Sequence, residues 1–219
     1  VANIGDLDGD GVNDLAVGGP LDDMDETGNA SGGTSRGAIH IMFMNTDGSV
    51  DSTVEINDST ANGPVLETYD NFGLDVANIG DLDGDGVNDL AVSATSDSTG
   101  GEGRGAVHII FMNTDGSVDS TVEINDSTAN GPVLANNDYF GFSVANIGDL
   151  DGDGVNDLVV GANGDNTNGT DRGAVHIMFM VGTTTPSQVT SCTAKAFTNE
   201  AQLSWTAPAT GGAAITDYI

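Results

Sequence analysis

The chain has 219 residues and carries 34 acidic side chains against 4 basic ones, a formal net charge of -30 at pH 7. A surface so acidic repels nucleic acid and anionic membrane and attracts cations. Hydrophobic residues, at 37%, suffice for a core and exclude wholesale disorder, and no apolar run approaches the ~20 residues that span a bilayer.

The chain opens on "VANIGDL", in the middle of a motif that recurs further on, so the start reads as truncated and says nothing about secretion. Next comes "GDLDGDGVNDL" at Gly5–Leu15, repeated without change at Gly80–Leu90 and Gly148–Leu158, offsets of 75 and then 68 residues. Each copy runs into a short apolar segment, "DLAV" or "DLVV", and then into a Gly-rich loop. From Asp14 to Arg36 is 22 residues, but from Asp89 to Arg104 and from Asp157 to Arg172 it is 15, so this loop holds the whole length difference. The β-rich runs "RGAIHIMFM" from Arg36, "RGAVHIIFM" from Arg104 and "RGAVHIMFM" from Arg172 follow. After two of them stands "NTDGSV", whose Asp-Gly between strand-like runs is a hairpin signal. The alternating "TVEI" and the long "NDSTANGPVL" loop close the unit, and "DNFGLDVANIG" from Asp70 and "DYFGFSVANIG" from Asp138 open the next ones.

The unit therefore predicts four short strands in an up-and-down meander, repeated as propeller blades, and the fold class is all-β. No window shows helical periodicity with caps. In such a meander the aspartate loop and the "NTDG" turn share one end of the blade. The variable Gly-rich loop and the "NDSTANGPVL" loop share the other, and binding surfaces of repeat proteins usually develop on the diversified side.

The aspartate loop places carboxylates at positions 1, 3, 5 and 9 and a glycine at position 6, where a tight reversal turns alternate side chains inward. This is an oxygen cage for a hard cation, with a backbone carbonyl expected at position 7. The candidate ligands are Asp6, Asp8, Asp10, Val12 and Asp14 in the first loop. They are Asp81, Asp83, Asp85, Val87 and Asp89 in the second, and Asp149, Asp151, Asp153, Val155 and Asp157 in the third. The absence of His and Cys from these loops argues against zinc, and four crowded carboxylates favour Ca²⁺ over Mg²⁺, which retains waters. One Ca²⁺ per loop, about three ions in all, is expected. The helix–loop–helix type of calcium site is excluded, because its position-12 glutamate is replaced by Val17, Val92 or Val160. Twelve of the 34 acids lie in these loops, and the other 22 read as solvated, salt-tolerant surface.

These units resemble FG-GAP repeats, the blades of integrin-α-type β-propellers. "NFG" at Asn71–Gly73 and "YFG" at Tyr139–Gly141 match the FG part, and "GGP" at Gly18–Pro20 and "GAN" at Gly161–Asn163 occupy the GAP position. "SAT" at Ser93–Thr95 departs from it, which predicts a different turn there. "DLDGDGVNDLAVG" matches the family's calcium loop. The resemblance covers Val1–Val181 and implies calcium on one face of the blades, ligand recognition on the opposite face and an extracellular setting. The segment "PSQVTSCTAKAFTNEAQLSWTAPATGGAAITDYI" resembles the first strands of a fibronectin type III domain, with Leu203, Trp205 and Tyr218 as core residues. Residues 1–181 thus read as a propeller fragment with repeats at 1–66, 67–134 and 135–181, and 182–219 as a truncated fibronectin-type β-sandwich. The first blade is expected to lack its FG strand and the third its "TVEI" strand. Closed propellers need about four to eight blades, so the chain reads as part of something longer, with exposed sheet edges.

His40, His108 and His176 recur at one repeat position and read as structural. Arg36, Arg104 and Arg172 are expected to pair with carboxylates as supporting groups near a loop end, and Phe43, Phe72, Phe111, Phe140 and Phe179 to pack between blades. Cys192 stands alone and reads as a small strand residue. Asn29, Asn57, Asn125 and Asn168 begin Asn-x-Ser/Thr sequons. No catalytic constellation stands apart from the repeat. The expected function is a secreted, non-catalytic recognition or adhesion module, stabilised by Ca²⁺, that binds a protein or glycan and neither nucleic acid nor the membrane interior. An accessory part of a large secreted enzyme and a structural spacer are the alternatives.

Overall fold

A computed structural model describes residues 1–22, 35–167, 169 and 172–182, together with the backbone of 190–196 and 201–206. Among them there is no helix, and so none long and apolar enough to cross a membrane.

Strands β1 (Ala2–Gly5), β2 (Asp14–Gly19), β3 (Ala38–Met44) and β4 (Val50–Ile56) form one antiparallel sheet in the order of the chain. Strands β5 (Phe72–Gly80), β6 (Asp89–Ala94), β7 (Ala106–Met112) and β8 (Val118–Ile124) repeat it. Strands β9 (Phe140–Gly148), β10 (Asp157–Ala162) and β11 (Ala174–Met178) make a third sheet of three strands among the described residues. The predicted meander is the observed one. The Asp-Gly turns close as read: Asn45 donates its N–H to the Ser49 carbonyl at 2.8 Å, and the Asp47 carboxylate accepts the N–H of Ser49 at 2.9 Å. The Phe-Gly segment lacking from the first unit leaves β1 with 4 residues where β5 and β9 have 9, yet the first sheet keeps four strands.

The sheets stack, and the period of two decides which residues fill each seam. Alternate residues of β7 face opposite ways. Ala106, Ile110 and Met112 join Ile4, Ile39, Ile41, Phe43 and Ile56 of the first sheet in one core. Val107, Ile109 and Phe111 join Phe140, Val144, Leu158 and Val160 of the third in another. All of β7 is consequently buried, whereas β3 alternates between buried and half-buried. Each large side chain so buried contributes about 1.5–3 kcal/mol. Phe72 and Phe140, both 0% exposed, stand at these seams, each with a histidine ring edge-on at 5.5 Å (His108) or 5.3 Å (His176). Phe179 departs from its expected packing role. It is 56% exposed, together with Val175 and Ile177, on the outer face of the third sheet.

Backbone bonds also cross the seams. Phe72 donates its N–H to the Arg36 carbonyl and Phe140 to the Arg104 carbonyl, both at 2.9 Å. The "RGA" motif makes this approach possible: Gly105 has φ +84°, and a Cβ there would lie 2.1 Å from the Phe140 carbonyl oxygen. The "SAT" departure does not alter its turn. Asp97 bonds back to the Ala94 carbonyl at 3.1 Å, as Asp22 does to Gly19 at 2.9 Å and Asp165 to Ala162 at 3.3 Å. Ser93, wholly buried, instead accepts the Asp75 N–H on its hydroxyl at 2.8 Å.

In the C-terminal segment β12 (Thr190–Ala196) pairs antiparallel with β13 (Ala201–Thr206). The side chains of Cys192, Leu203 and Trp205, and Tyr218 entirely, lie outside the described residues.

Phe140→Ala is expected to cost about 3–5 kcal/mol of unfolding free energy. Phe142→Ala, two residues away but 50% exposed, should stay within about 0.5 kcal/mol. Urea denaturation of both variants measures the difference.

Candidate metal centres

Each aspartate loop is held by bonds from its own backbone. In the second loop Asp81 accepts the N–H groups of Gly84 at 2.6 Å and Gly86 at 2.9 Å. Asp83 accepts that of Asp85 at 3.1 Å, and Asp85 that of Val87 at 2.7 Å. The first and third loops repeat the pattern, with Asp6 accepting from Gly9 and Gly11, Asp149 from Gly152 and Gly154, and Asp10 and Asp153 from Val12 and Val155. The position-9 carboxylates do something different. Asp14, Asp89 and Asp157 are at most 1% exposed. One oxygen of each accepts the N–H of Leu7, Leu82 or Leu150 at 2.8 Å. The other accepts the N–H of Met44 at 2.9 Å, Met112 at 3.1 Å or Met180 at 2.9 Å, where the third strand of the sheet ends. The aspartate loop and the end of the third strand therefore share one end of the blade, as expected.

The carboxylates converge. Oxygens of Asp6, Asp8 and Asp10 lie within 4.8 Å of one another, as do those of Asp81, Asp83 and Asp85 and those of Asp149, Asp151 and Asp157. The position-9 residue joins this group only in the third loop, where Asp153 stands outside it; Asp14 and Asp89 are buried and stand outside theirs. Among the described residues, no ion pair reaches these carboxylates. Arg36 pairs with Asp58 and Arg104 with Asp126, and Arg104 also reaches Asn136 at 3.0 Å. Both arginines therefore serve the long loops at the opposite end and not the aspartate clusters. Burial, then the charges of Asp83 and Asp85, push Asp89 up to about 6 against the pull of its two N–H donors. Burial also raises Asp83, with Asp85 and Asp81 adding to the effect. Oxygen-only donors, convergent and short of positive partners, fit a hard divalent cation.

Sequence reasoning missed a set of asparagines that link the sheets on this side. Asn88 donates to the Ile4 carbonyl and Asn156 to the Ile79 carbonyl, both at 3.0 Å. Asn78 donates to the Asn3 carbonyl at 3.3 Å, and Asn146 to the Asn78 carbonyl at 3.1 Å. Their only signal in the sequence is identity in every copy of "VANIG" and "GVNDL".

The opposite end is also acidic. Asp70 is 1% exposed and accepts the Glu67 N–H at 2.6 Å. Burial, reinforced by Asp97, Glu67 and Glu123, lifts it to about 7. His108, 1% exposed, is held neutral, its pKa lowered by burial to about 4. That, with the ring contact to Phe72, supports a packing role. His40 instead lies 3.5 Å from Asp22. Asn57 and Asn125 are buried and donate to Glu55 and Glu123, so these two sequons are closed to a glycan in the folded chain. Asn29 and Asn168 lie outside the described residues. Leu74, Thr95, Tyr139, Phe142 and Asn163 line a shallow apolar depression at this end.

The FG-GAP repeat family matches three segments of the chain, residues 2–42, 72–110 and 140–178. Integrin alpha-5 of Xenopus laevis is 34% identical over 172 residues, which cover 77% of this chain and 15% of that protein. Integrin alpha-PS2 of Drosophila melanogaster is 32% identical over 159 residues, 72% of this chain and 11% of its own length. Human integrin alpha-IIb is 30% identical over 174 residues, 74% of this chain and 14% of its own. The chain thus spans well under a fifth of each of these relatives.

With a folded pKa near 7 and an unfolded one near 3.9, native Asp70 holds a proton that the unfolded chain releases, so stability falls as pH rises between about 4 and 7. Asp70→Asn keeps an acceptor but has no proton to lose. In saturating Ca²⁺, the decline in melting temperature from pH 5.5 to 8 should be shallower in this variant than in the parent. Parallel profiles would contradict the assignment.

Proposed function

The chain belongs to the FG-GAP repeat family, and from that premise we propose that it is a calcium-stabilised, non-catalytic recognition module acting outside the cell or at its surface. Ca²⁺ is held by Asp6, Asp8, Asp10 and Asp14, with Val12 offering its carbonyl, and by the corresponding residues of the loops at 81–89 and 149–157. The observation that carries the reading is the convergence of three carboxylates per loop within 4.8 Å, with Arg36 and Arg104 engaged at the opposite end. A bound divalent cation supplies attraction where the carboxylates repel, and its binding free energy becomes folding free energy. Asp14, Asp89 and Asp157 carry the effect into the sheet, since each grips both its own loop and the end of the third strand.

Recognition belongs to the opposite end. The Gly-rich loops vary in length there, the arginine-tied long loops lie beside them, and Tyr139 and Phe142 are exposed around the apolar depression. A protein or glycan of the extracellular space suits that surface. Residues 1–181 form the propeller portion, with repeats at 1–66, 67–134 and 135–181. Residues 182–219 begin a fibronectin type III domain, a reading supported by the "LSWTAP" motif in the sequence and by the antiparallel pairing of β12 with β13.

Extracellular calcium modules bind with dissociation constants of about 10⁻⁴–10⁻³ M, so about 2 mM Ca²⁺ stabilises the fold by about 0.7–1.8 kcal/mol per ion. Thermal melting in 2 mM Ca²⁺ against a chelator should show a rise of at least about 4 °C. Equal melting temperatures would end the proposal.

A further inference from the structure

The loop asparagines join each candidate metal centre to the sheet before it. Asn88 lies between Val87 and Asp89, and Asn156 between Val155 and Asp157, all of them candidate ligands. Their side chains do not serve their own loops. Each crosses the seam to a backbone carbonyl of the preceding sheet, Asn88 to Ile4 and Asn156 to Ile79, at 3.0 Å. The receiving sheet makes room with a glycine. A Cβ on Gly5 would stand 2.8 Å from the Asn88 amide nitrogen, and one on Gly80 would stand 2.9 Å from that of Asn156. Gly148, the same residue in the third sheet, has a similar φ of +74°, yet a Cβ there would meet nothing within 4 Å. Asn13, the same residue in the first loop, has no described sheet before it and is exposed. The glycine and the asparagine therefore form a contact only where two blades meet.

We propose that Asn88 and Asn156 are positioning residues that couple cation binding in one blade to its docking on the blade before. The inference rests on the calcium reading above. Docking through the asparagine holds the closing half of the loop in place before the ion arrives, so less ordering remains to be done on binding. Linkage makes the effect reciprocal: the ion tightens the seam by the factor by which the seam tightens the ion. The three loops, identical in sequence, are consequently unequal in affinity. Those at 81–89 and 149–157, whose asparagines dock on a neighbouring sheet, bind tighter in this chain than the one at 6–14, whose asparagine meets no such sheet among the described residues.

The test is hydrogen exchange followed by mass spectrometry across a Ca²⁺ titration of the 219-residue chain. Peptides extending to Asp75 or Ser143 tell the identical loops apart. Asn156→Ala should raise the calcium midpoint of the 149–157 loop by about 3–10-fold, the range of one lost hydrogen bond, and leave the 6–14 loop unmoved. Asn13→Ala should shift none of the three. Gly80→Ala should reproduce the Asn156→Ala shift and not add to it in the double variant. Gly148→Ala carries the same backbone strain without the clash and should leave the 81–89 loop unmoved. A general loss of stability would shift all three loops together and overturn the coupling, as would an Asn156→Ala midpoint equal to the parent's. Either result leaves calcium binding intact. No calcium-dependent protection in any loop of the parent would overturn both this coupling and the calcium reading beneath it.

Discussion

Like charges gathered at one end of each of the three repeat sheets are the constraint around which residues 1–181 are built. A loop of nine residues with four aspartates is electrostatically unfavourable unless each carboxylate has something positive to face. Part of that comes from the backbone, whose N–H groups meet the carboxylates at positions 1, 3, 5 and 9 in every copy. The remainder, on the function proposed above, is left to a cation, since Arg36 and Arg104 are tied to Asp58 and Asp126 at the far end. On that reading the loop is folded by its backbone and completed by an ion.

The buried aspartate at position 9 turns this local arrangement into a property of the sheet. Asp89 bonds to Leu82 across its loop and to Met112 at the end of β7, so the first, second and third strands meet at one carboxylate. The seams between sheets add the second dimension. Phe72 and Phe140 fill them, glycine lets the backbones touch, and the asparagines bridge them beside the loops. Contacts between neighbours alone repeat along the stack, which is the energetic form of a repeat protein.

Much of this was legible because the sequence states itself nearly three times. The strand order, the hairpin at "NTDG", the two ends of the blade and the aspartate positions all followed from comparing copies. What escaped depended on neighbours that spacing does not reveal. Phe179 shares its place in the repeat with the buried Phe111, but no described sheet covers it, so it is exposed. Ser93 breaks the motif without changing the turn, because its hydroxyl accepts the Asp75 N–H. Arg36 and Arg104 pair with carboxylates as expected, but with those of the long loops, a choice that charge counting could not make. Asn88 and Asn156 escaped notice, since a carbonyl on another sheet has no signature in sequence.

Counting ions tests the whole most directly. Titration calorimetry of the chain with Ca²⁺ should saturate at three ions, one for each aspartate loop, and Asp81→Ala should bring the number to two. An absence of saturable binding, or a stoichiometry untouched by that substitution, would contradict the view that these carboxylates are gathered around a metal.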